Sequence, residues 1–253
     1  MKEKMIVIAG PCVVEDLQTT KIIACELERL SHILPITPIL KASYKKANRT
    51  KANAFTGIGN IKALQILRNV SDWYGLPCIT DVHTPEEVRV AAQYADILQI
   101  PAFLCRQTDL IEAAARTGKQ INIKKGQFAS VDMIYYALGK IRQFQALSIY
   151  ITERGTTFGY DDLVIDMRNI VILSNIANTH TIIDITHSLG THDGDIAMME
   201  AIGKSGIAAG ANGIFIETHP DPKVAKSDGT RMLPLDMLEL VLKNILKVWN
   251  SLR

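Results

Sequence analysis

The sequence lacks the long apolar runs and the paired cysteines that mark exported or membrane-bound proteins. Near the N-terminus, residues 5–9 are apolar but are followed at once by Gly10-Pro11, which is too short for a signal-peptide core. No run approaches the roughly 18 apolar residues of a membrane helix. The four cysteines, Cys12, Cys25, Cys78 and Cys105, form no close pair, which argues against disulfides. We therefore expect a cytoplasmic protein with no membrane partner.

The sequence also lacks a strong excess of either charge. Its formal net charge is +2 over 253 residues, which argues against a nucleic-acid partner for the chain as a whole. The hydrophobic fraction of 47% is enough for a large core, and the charged fraction of 21% is not that of a disordered chain. A length of about 250 residues fits a single α/β barrel domain.

Short β-branched runs alternate with helical patterns along the whole chain. The nearly continuous apolar character of these runs is typical of parallel strands buried on both faces. The predicted strands are residues 6–9, 38–42, 78–82, 97–100, 121–124, 148–152, 181–185 and 213–217. The predicted helices are residues 16–34, 60–74, a helix starting at 84–87, and residues 109–117, 130–145, 195–209 and 235–251.

This alternation predicts a (β/α)8 TIM barrel that forms one domain over residues 1–253. A doubly wound open sheet is the rival architecture. It would more often carry a glycine-rich phosphate loop after the first strand, and none is present here.

In such a barrel the active site lies where the strands end, so the residues after each strand carry the functional information. Polar side chains gather at every predicted strand end. One group combines a thiol, an imidazole and two carboxylates after strands one, seven and eight, which become neighbours when the barrel closes. These ligand types suit Zn²⁺, Fe²⁺ or Mn²⁺. The predicted metal cluster is Cys12, His187, Glu217 and Asp228, with His219 and His192 as competing ligands.

A second group is cationic and follows strands two, five and six. Lysine and arginine at the ends of apolar strands are costly unless they pair with an anion, and arginine can bind phosphate or carboxylate through two hydrogen bonds. This cation set is Lys41, Lys46, Arg49, Lys124 and Arg154. Asp81 and His83 follow strand three, where they could shuttle protons or bind hydroxyl groups. Lys45 and Lys51 are expected to be surface charges.

The motifs at the strand ends resemble those of the 3-deoxy-D-manno-octulosonate 8-phosphate (Kdo8P) synthases. The resemblance spans almost the whole chain and is carried by Gly10-Pro11-Cys12, Lys41-Ala42-Ser43, Lys46-Ala47-Asn48-Arg49, Thr80-Asp81-Val82-His83, Asn122-Ile123-Lys124-Lys125, Asp184-Ile185-Thr186-His187-Ser188 and residues 99–110, 152–160 and 215–222. It implies a (β/α)8 homotetramer of lipopolysaccharide biosynthesis. The reaction implied is the condensation of phosphoenolpyruvate with arabinose 5-phosphate.

The resemblance also implies a role for individual residues. Metal-dependent members of the family carry cysteine at the position of Cys12, and the family's ligands fall on the same cluster of Cys12, His187, Glu217 and Asp228. Phosphoenolpyruvate contacts fall on Lys46, Lys124 and Arg154. Sugar-phosphate contacts fall on Lys41, Ser43, Asn48 and Arg49, with Gln99 and Phe103 also expected to contact substrate. Arg106 matches a residue that reaches the sugar phosphate from a neighbouring subunit.

Some features depart from the family pattern or leave another function open. Tyr44-Lys45 stands where Phe-Asp is usual, Thr50-Lys51 where Ser-Ser is usual, and the loop 189–195 is short. The 3-deoxy-D-arabino-heptulosonate 7-phosphate synthases share the barrel and use erythrose 4-phosphate, but they carry Lys-Pro-Arg-Thr where this chain has Lys46-Ala47-Asn48-Arg49. A sugar-phosphate or metal sensor on a barrel without activity is the alternative from another class. It would bind ligand without releasing phosphate.

Overall fold

A computed structural model describes residues 3–49, 51, 53–144 and 147–253 of the chain. Within these residues, eight parallel strands form a closed barrel, and a helix follows each strand. The barrel strands are β1 (Met5–Gly10), β2 (Ile36–Lys41), β3 (Cys78–Asp81), β4 (Ile97–Ile100), β5 (Gln120–Lys124), β6 (Ile149–Glu153), β7 (Thr179–Asp184) and β8 (Gly213–His219). The helices are α1 (Leu17–Ile33), α2 (Asn60–Tyr74), α3 (Pro85–Ala91), α4 (Thr108–Arg116), α5 (Val131–Arg142), α6 (Met167–Ser174), α7 (Ile196–Ala208) and α8 (Leu238–Ser251). The predicted TIM barrel is confirmed.

The barrel closes where β1 pairs with both β2 and β8. Ile6 is opposite Gly213 and Gly10 is opposite Glu217 in the closing ladder. Gly213 has to be a glycine, since a Cβ there would lie 2.1 Å from the carbonyl oxygen of Ile6. This register brings the end of β8 beside the end of β1.

Two hydrophobic layers surround the strands. The smaller one fills the barrel interior with side chains that point inward from successive strands, as expected for a packed barrel core. It consists of Ile8, Ile39, Ile79, Ile97, Tyr150, Ile182 and Phe215. The larger layer lies between the strands and the helices. Because both strand faces are buried, the strands read as continuous apolar runs in the sequence.

Local signals fix several helix ends. Oδ1 of Asp16 accepts the backbone N–H of Thr19 at 2.7 Å and caps α1. Thr84 caps α3 as predicted, with Pro85 at its first position. Gly118 follows α4 with a φ of 71°, a left-handed conformation that suits glycine at a helix end. In the described part of the chain, none of the helices has the length and apolarity needed to cross a membrane.

Helix α6 and a hairpin after β6 are among the elements that were not predicted from the sequence. Helix α6 was missed because its run Ile170-Val171-Ile172-Leu173 has the β-branched, continuous apolar character of a strand. A two-stranded hairpin, Thr156–Thr157 with Leu163–Val164, follows β6. Strand bounds otherwise differ from the prediction by one or two residues. Helix α5 ends at Arg142 rather than at Gln145, which lies outside the described residues.

Candidate active site

A polar cavity of about 520 Å³ opens at the C-terminal ends of the barrel strands. Side chains from most strand ends line it, as the fold requires of a barrel enzyme. The lining residues are Lys41, Ser43, Lys46, Asn48, Arg49, Asp81, Gln99, Pro101, Ala102, Phe103, Lys124, Gln127, Arg154, His187, Asp193, Glu217, Asp228, Thr230 and Arg231. Most of the predicted site residues are therefore brought together in one place.

Of the predicted metal cluster, His187, Glu217 and Asp228 line this cavity, and Cys12 is buried beside Asp228. The thiol of Cys12 donates to Oδ2 of Asp228 at 2.9 Å. One ligand atom from each of Cys12, Glu217 and Asp228 lies within 4.8 Å of the others. Nε2 of His187 lies 3.7 Å from Oε1 of Glu217, so the imidazole faces the same group. Cys12, Glu217 and Asp228 therefore converge where β1 closes on β8, and His187 adjoins this group through Glu217.

Asp184 fixes the orientation of His187. Its Oδ1 accepts the backbone N–H groups of Thr186 and His187, at 3.0 and 2.8 Å. Although burial opposes ionisation, His187 and Lys124 hold the pKa of Asp184 well below its usual value. The ionised Oδ2, 2.9 Å from Nδ1 of His187, places the ring proton on Nδ1. Nε2 is thereby left with its lone pair toward Glu217, the arrangement found for metal-binding histidines.

The chemistry of the four side chains fits a divalent metal ion. Oε2 of Glu217 is buried and has no hydrogen-bond partner among the described residues, although the pKa of Glu217 is lowered, against the effect of burial, by His187 and nearby lysines. Burial, followed by the charge of Glu217, raises the pKa of the Cys12 thiol. A cation has the opposite effect and stabilises the thiolate. One thiolate, one imidazole and two carboxylates suit Zn²⁺, Fe²⁺ or Mn²⁺.

Lys41 connects the metal cluster to the cation set. Its ammonium group is buried and donates to Ser43 Oγ at 2.8 Å, to the Cys12 carbonyl at 3.3 Å and to Glu217 Oε1 at 3.4 Å. Lys46 donates to the same Ser43 hydroxyl at 3.2 Å. The hydroxyl therefore lies between two ammonium groups at the cavity wall.

Lys124 and Arg154 form a second cationic wall across the cavity. Lys124 Nζ lies 2.6 Å from Asp184 Oδ2 and 3.7 Å from the centre of the Phe215 ring. Arg154 donates to the carbonyl oxygen of His187 at 2.9 Å. Burial lowers the pKa of both side chains. A bound anion favours the charged form of such groups, so this wall is suited to phosphate and carboxylate.

A buried ion pair supports this wall from below. Lys125 and Glu153 approach to 3.3 Å between Nζ and Oε1, and neither is exposed to solvent. The same Oε1 accepts the backbone N–H groups of Arg154 and Gly155, at 3.0 and 2.8 Å. The pair thus fixes the backbone from which the Arg154 side chain extends.

His83 and Lys45 lie in surroundings other than those predicted. His83 does not line the cavity, because its ring turns toward Glu87 and only Asp81 of that pair faces inward. Arg106 is exposed and lies outside the cavity of the single chain. Lys45 is not a free surface charge, since it forms an ion pair with Glu87. Thr50, at one of the departures from the family pattern, lies outside the described residues.

The competing histidines do not join the metal cluster. His192 is exposed, as predicted for a solvated loop residue. His219 is buried, but its Nδ1 accepts the backbone N–H of Asp221 at 3.0 Å, and its Nε2 lies 3.7 Å from Glu15. Neither residue lines the cavity.

Sequence analysis missed a group of cavity residues in the loops after β7 and β8. Arg231 Nε lies 2.8 Å from Asp193 Oδ1, and the hydroxyl of Thr230 lies 3.5 Å from Oδ2 of the same carboxylate. Gln127 lines the cavity after β5. The positions of these residues after strands were the available signal, but Arg231 follows a loop of more than ten residues, and its return to the cavity is set by tertiary structure.

Comparison with known proteins identifies similar sequences over nearly the whole chain. The model of the DAHP synthetase I family matches residues 1–251. A 2-dehydro-3-deoxyphosphooctonate aldolase of Rickettsia bellii is 44% identical over 95% of this chain and 90% of its own length. Proteins of the same name from Koribacter versatilis and Nitratidesulfovibrio vulgaris are 41% and 38% identical over 97% and 96% of this chain, covering 91% and 92% of their own lengths.

Proposed function

Since the chain belongs to the DAHP synthetase I family, among the 2-dehydro-3-deoxyphosphooctonate aldolases or Kdo8P synthases, we propose that it makes Kdo8P with the help of a divalent metal ion. The reaction condenses phosphoenolpyruvate with arabinose 5-phosphate and water, releases inorganic phosphate and serves lipopolysaccharide biosynthesis. The observation that carries this proposal is a single cavity that combines His187, Glu217 and Asp228, the last in contact with Cys12, with the buried cations Lys41, Lys124 and Arg154.

The proposed metal ligands are the four residues that the sequence pointed to. Cys12, His187, Glu217 and Asp228 would hold Zn²⁺, Fe²⁺ or Mn²⁺, and such an ion polarises a carbonyl oxygen or acidifies a bound water. As a ligand, His187 is not a free base. Asp184 keeps its Nε2 in the ligating tautomer through the hydrogen bond at Nδ1.

Lys46, Lys124 and Arg154 bind phosphoenolpyruvate in this proposal. Its phosphate and carboxylate groups supply negative charge to the buried Arg154, which forms no ion pair among the described residues, and to Lys124, which also pairs with Asp184. Fixed cations around both groups hold C3 of the enol toward the sugar and stabilise the charge that moves onto the departing phosphate.

The sugar phosphate binds beside phosphoenolpyruvate, at the residues that follow β2. Lys41, Ser43, Asn48 and Arg49 line the cavity after β2, and Arg49 is positioned by a 2.8 Å hydrogen bond to Ser227 Oγ. Gln99 and Phe103 face the same space. This arrangement brings the aldehyde within reach of C3, and C–C bond formation is followed by addition of water at C2 and loss of phosphate.

Asp81 is the proton-handling group on the cavity wall. Although burial opposes ionisation, Lys41, His83 and Lys46 hold the pKa of Asp81 well below its usual value. Its Oδ1 is buried without a hydrogen-bond partner among the described residues, which leaves an acceptor for a substrate hydroxyl or a water.

We also propose that the chain works as a single-domain cytoplasmic homotetramer. Exposed Arg106 supports this arrangement, because a neighbouring subunit could place it against the sugar phosphate of another cavity. In a monomer it contributes nothing to the cavity wall.

Phosphate release from phosphoenolpyruvate tests the proposed function. We expect release with arabinose 5-phosphate, little with erythrose 4-phosphate, and loss of activity after chelation that is restored by added Zn²⁺, Fe²⁺ or Mn²⁺. Faster release with erythrose 4-phosphate would show the heptulosonate reaction instead. Binding of sugar phosphate without any release of phosphate would favour a sensor, and full activity after complete metal removal would disprove the metal role.

A further inference from the structure

Glu87 of α3 is the centre of a hydrogen-bond network behind the cavity. Its Oε2 accepts the Tyr44 hydroxyl at 2.5 Å, and the backbone N–H and Nδ1 of His83, both at 3.0 Å. Its Oε1 pairs with the ammonium group of Lys45. Tyr44 is buried and its ring meets that of His83 edge-on, with 6.3 Å between the ring centres. The network therefore joins the loop after β2 to the loop after β3.

His83 lies between two carboxylates. Nδ1 faces Glu87 at 3.0 Å, and Nε2 faces Asp81 Oδ2 at 3.3 Å. A neutral imidazole has one N–H, so it cannot donate to both, whereas an imidazolium can. Desolvation opposes the charge, but the two carboxylates raise the pKa of His83 above its ordinary value. The two flanking carboxylates therefore favour the doubly protonated ring.

Asp81 connects this network to the cavity. Of the residues Tyr44, Lys45, Asp81, His83 and Glu87, it alone lines the cavity of the described chain. On its other side, Lys41 of β2 lies 3.8 Å away, and Lys46 adds its positive charge. A change in the charge of His83 is therefore felt at the carboxylate that faces the substrates.

We propose that Glu87 is a positioning residue that keeps His83 doubly protonated against Asp81, and that Tyr44 and Lys45 limit how strongly it does so. This inference rests on the proposed function for its effect on turnover. When C3 of phosphoenolpyruvate bonds to the aldehyde carbon, the aldehyde oxygen takes up a proton. The imidazolium supplies that proton through Asp81, and the proton lost by the water that adds at C2 returns to the pair. When the C2–O bond to phosphate breaks, the proton of the new C2 hydroxyl leaves with the phosphate. The proton count is balanced without a further reactant.

Glu87 and Lys45 have opposite effects on the pKa of His83. Glu87→Gln keeps the shape of the side chain but removes a negative charge beside His83, so the imidazolium is less stable and the pKa of His83 falls, by about one unit or more. Hydrogen bonds from Lys45 and Tyr44, together with that from His83 and against the effect of burial, lower the pKa of Glu87 to about 2. Lys45→Met and Tyr44→Phe leave more uncompensated charge on Glu87 and raise the pKa of His83.

The test compares two readouts in Glu87→Gln, Lys45→Met, Tyr44→Phe and the parent chain. The first is kcat for phosphate release against pH. Activity requires the protonated His83 ring. The alkaline limb of the kcat–pH profile should therefore move to lower pH in Glu87→Gln and to higher pH in Lys45→Met and Tyr44→Phe. The second is the His83 titration by NMR of histidine-labelled protein, assigned with His83→Gln. Lys51→Met is the matched control, an exposed lysine of the same loop for which no movement is expected.

Opposite displacements in both readouts support the proposal. The proposal is overturned if the pKa of His83 and the alkaline limb of the kcat profile move in the same direction in Glu87→Gln and Lys45→Met, or move in neither variant. A purely structural role would lower kcat without moving that limb. If the parent chain releases no phosphate from phosphoenolpyruvate and arabinose 5-phosphate, the proposed function fails. The NMR titration then decides the role of Glu87 independently of turnover.

Discussion

Cys12 shows how the neighbours of a residue decide its chemistry. A buried cysteine is ordinarily an inert apolar side chain. Here the thiol lies 2.9 Å from Asp228 and 3.2 Å from the Ser227 hydroxyl, with Glu217 close by. Carboxylates around a thiol oppose its ionisation unless a cation balances their charge. A bound metal ion therefore explains why these side chains are buried together, and without one their burial costs free energy.

Cys12→Ala should reduce the metal content of the purified protein and its turnover. We expect metal affinity to fall at least about tenfold, because mutating a residue that only supports a ligand through a hydrogen bond already lowers metal affinity by that factor. Metal analysis after dialysis against a weak chelator, alongside phosphate release, measures both. Cys25→Ala is the control, since Cys25 is exposed on α1. Undiminished activity of Cys12→Ala in the presence of the chelator would contradict the ligand role.

At the residue scale, the sequence identified groups that follow a strand directly. Cys12, Lys124 and Glu217 were found because they lie on or next to the strands that carry them. The environment of Lys45 was not found, since its partner Glu87 comes from α3, more than forty positions away. The structure gives the Tyr44-Lys45 departure a physical explanation: both side chains bind one carboxylate.

At the scale of elements, the loops after β7 and β8 hold each other. The Asp193–Arg231 ion pair links them, and Gly194 allows their close approach, because a Cβ there would lie 2.7 Å from the carbonyl oxygen of Thr230. Arg231 and Arg154 line the same cavity. Asp193 therefore competes with a bound substrate anion for Arg231.

Removing either member of the Asp193–Arg231 pair should change KM in opposite directions. Arg231→Met removes a charged hydrogen-bond donor and should raise KM for one phosphorylated substrate about tenfold or more, the effect of losing one such bond. Asp193→Asn frees Arg231 and should lower the same KM. Steady-state kinetics with each substrate varied in turn gives the comparison.

Arg168→Met serves as the matched control, since Arg168 pairs with Asp166 on the surface and lies outside the cavity. An equal rise of KM in Arg231→Met and Asp193→Asn would mean that the pair acts only by holding the loops together.

The elements predicted from the sequence are those whose apolar residues recur with a clear helical or strand period. The barrel strands and the long helices were found because their apolar patterns differ. Helix α6 was missed because eight residues with adjacent β-branched side chains do not show a polar face. The hairpin after β6 was missed because strands of two residues are too short to show an alternation of apolar and polar side chains.

For the whole molecule, the closing seam between β1 and β8 is the feature on which the site depends. It brings Cys12 beside Glu217, which are more than two hundred positions apart in the chain. The alternating pattern predicted this closure, and the ladder of Ile6 with Gly213 confirms it. Side-chain contacts across the cavity could not be predicted, because they depend on the shear and tilt of the closed barrel.

Gly213→Ala and Gly139→Ala should change stability in opposite directions. A methyl group at Gly213 meets the Ile6 backbone, and overpacking of this kind costs about 1–3 kcal/mol. Gly139 lies inside α5 with no atom within 4 Å of an added Cβ, so alanine should raise the free energy of unfolding by up to about 1 kcal/mol. Urea unfolding measures both. A Gly213→Ala protein as stable as the parent would show that the seam can relax.

Asp184 contacts Lys124 with one oxygen and, with the same oxygen, the ring of His187. A bound anion that attracts Lys124 weakens the contact between Lys124 and the Asp184 carboxylate. The carboxylate then polarises the His187 imidazole more strongly, which makes Nε2 a stronger metal ligand. Linkage is reciprocal, so a metal that draws on the imidazole must favour the anion by the same factor. With the proposed metal and substrate, the protein should accordingly retain the ion most firmly while phosphoenolpyruvate is abundant, and shed it most readily when that metabolite is scarce.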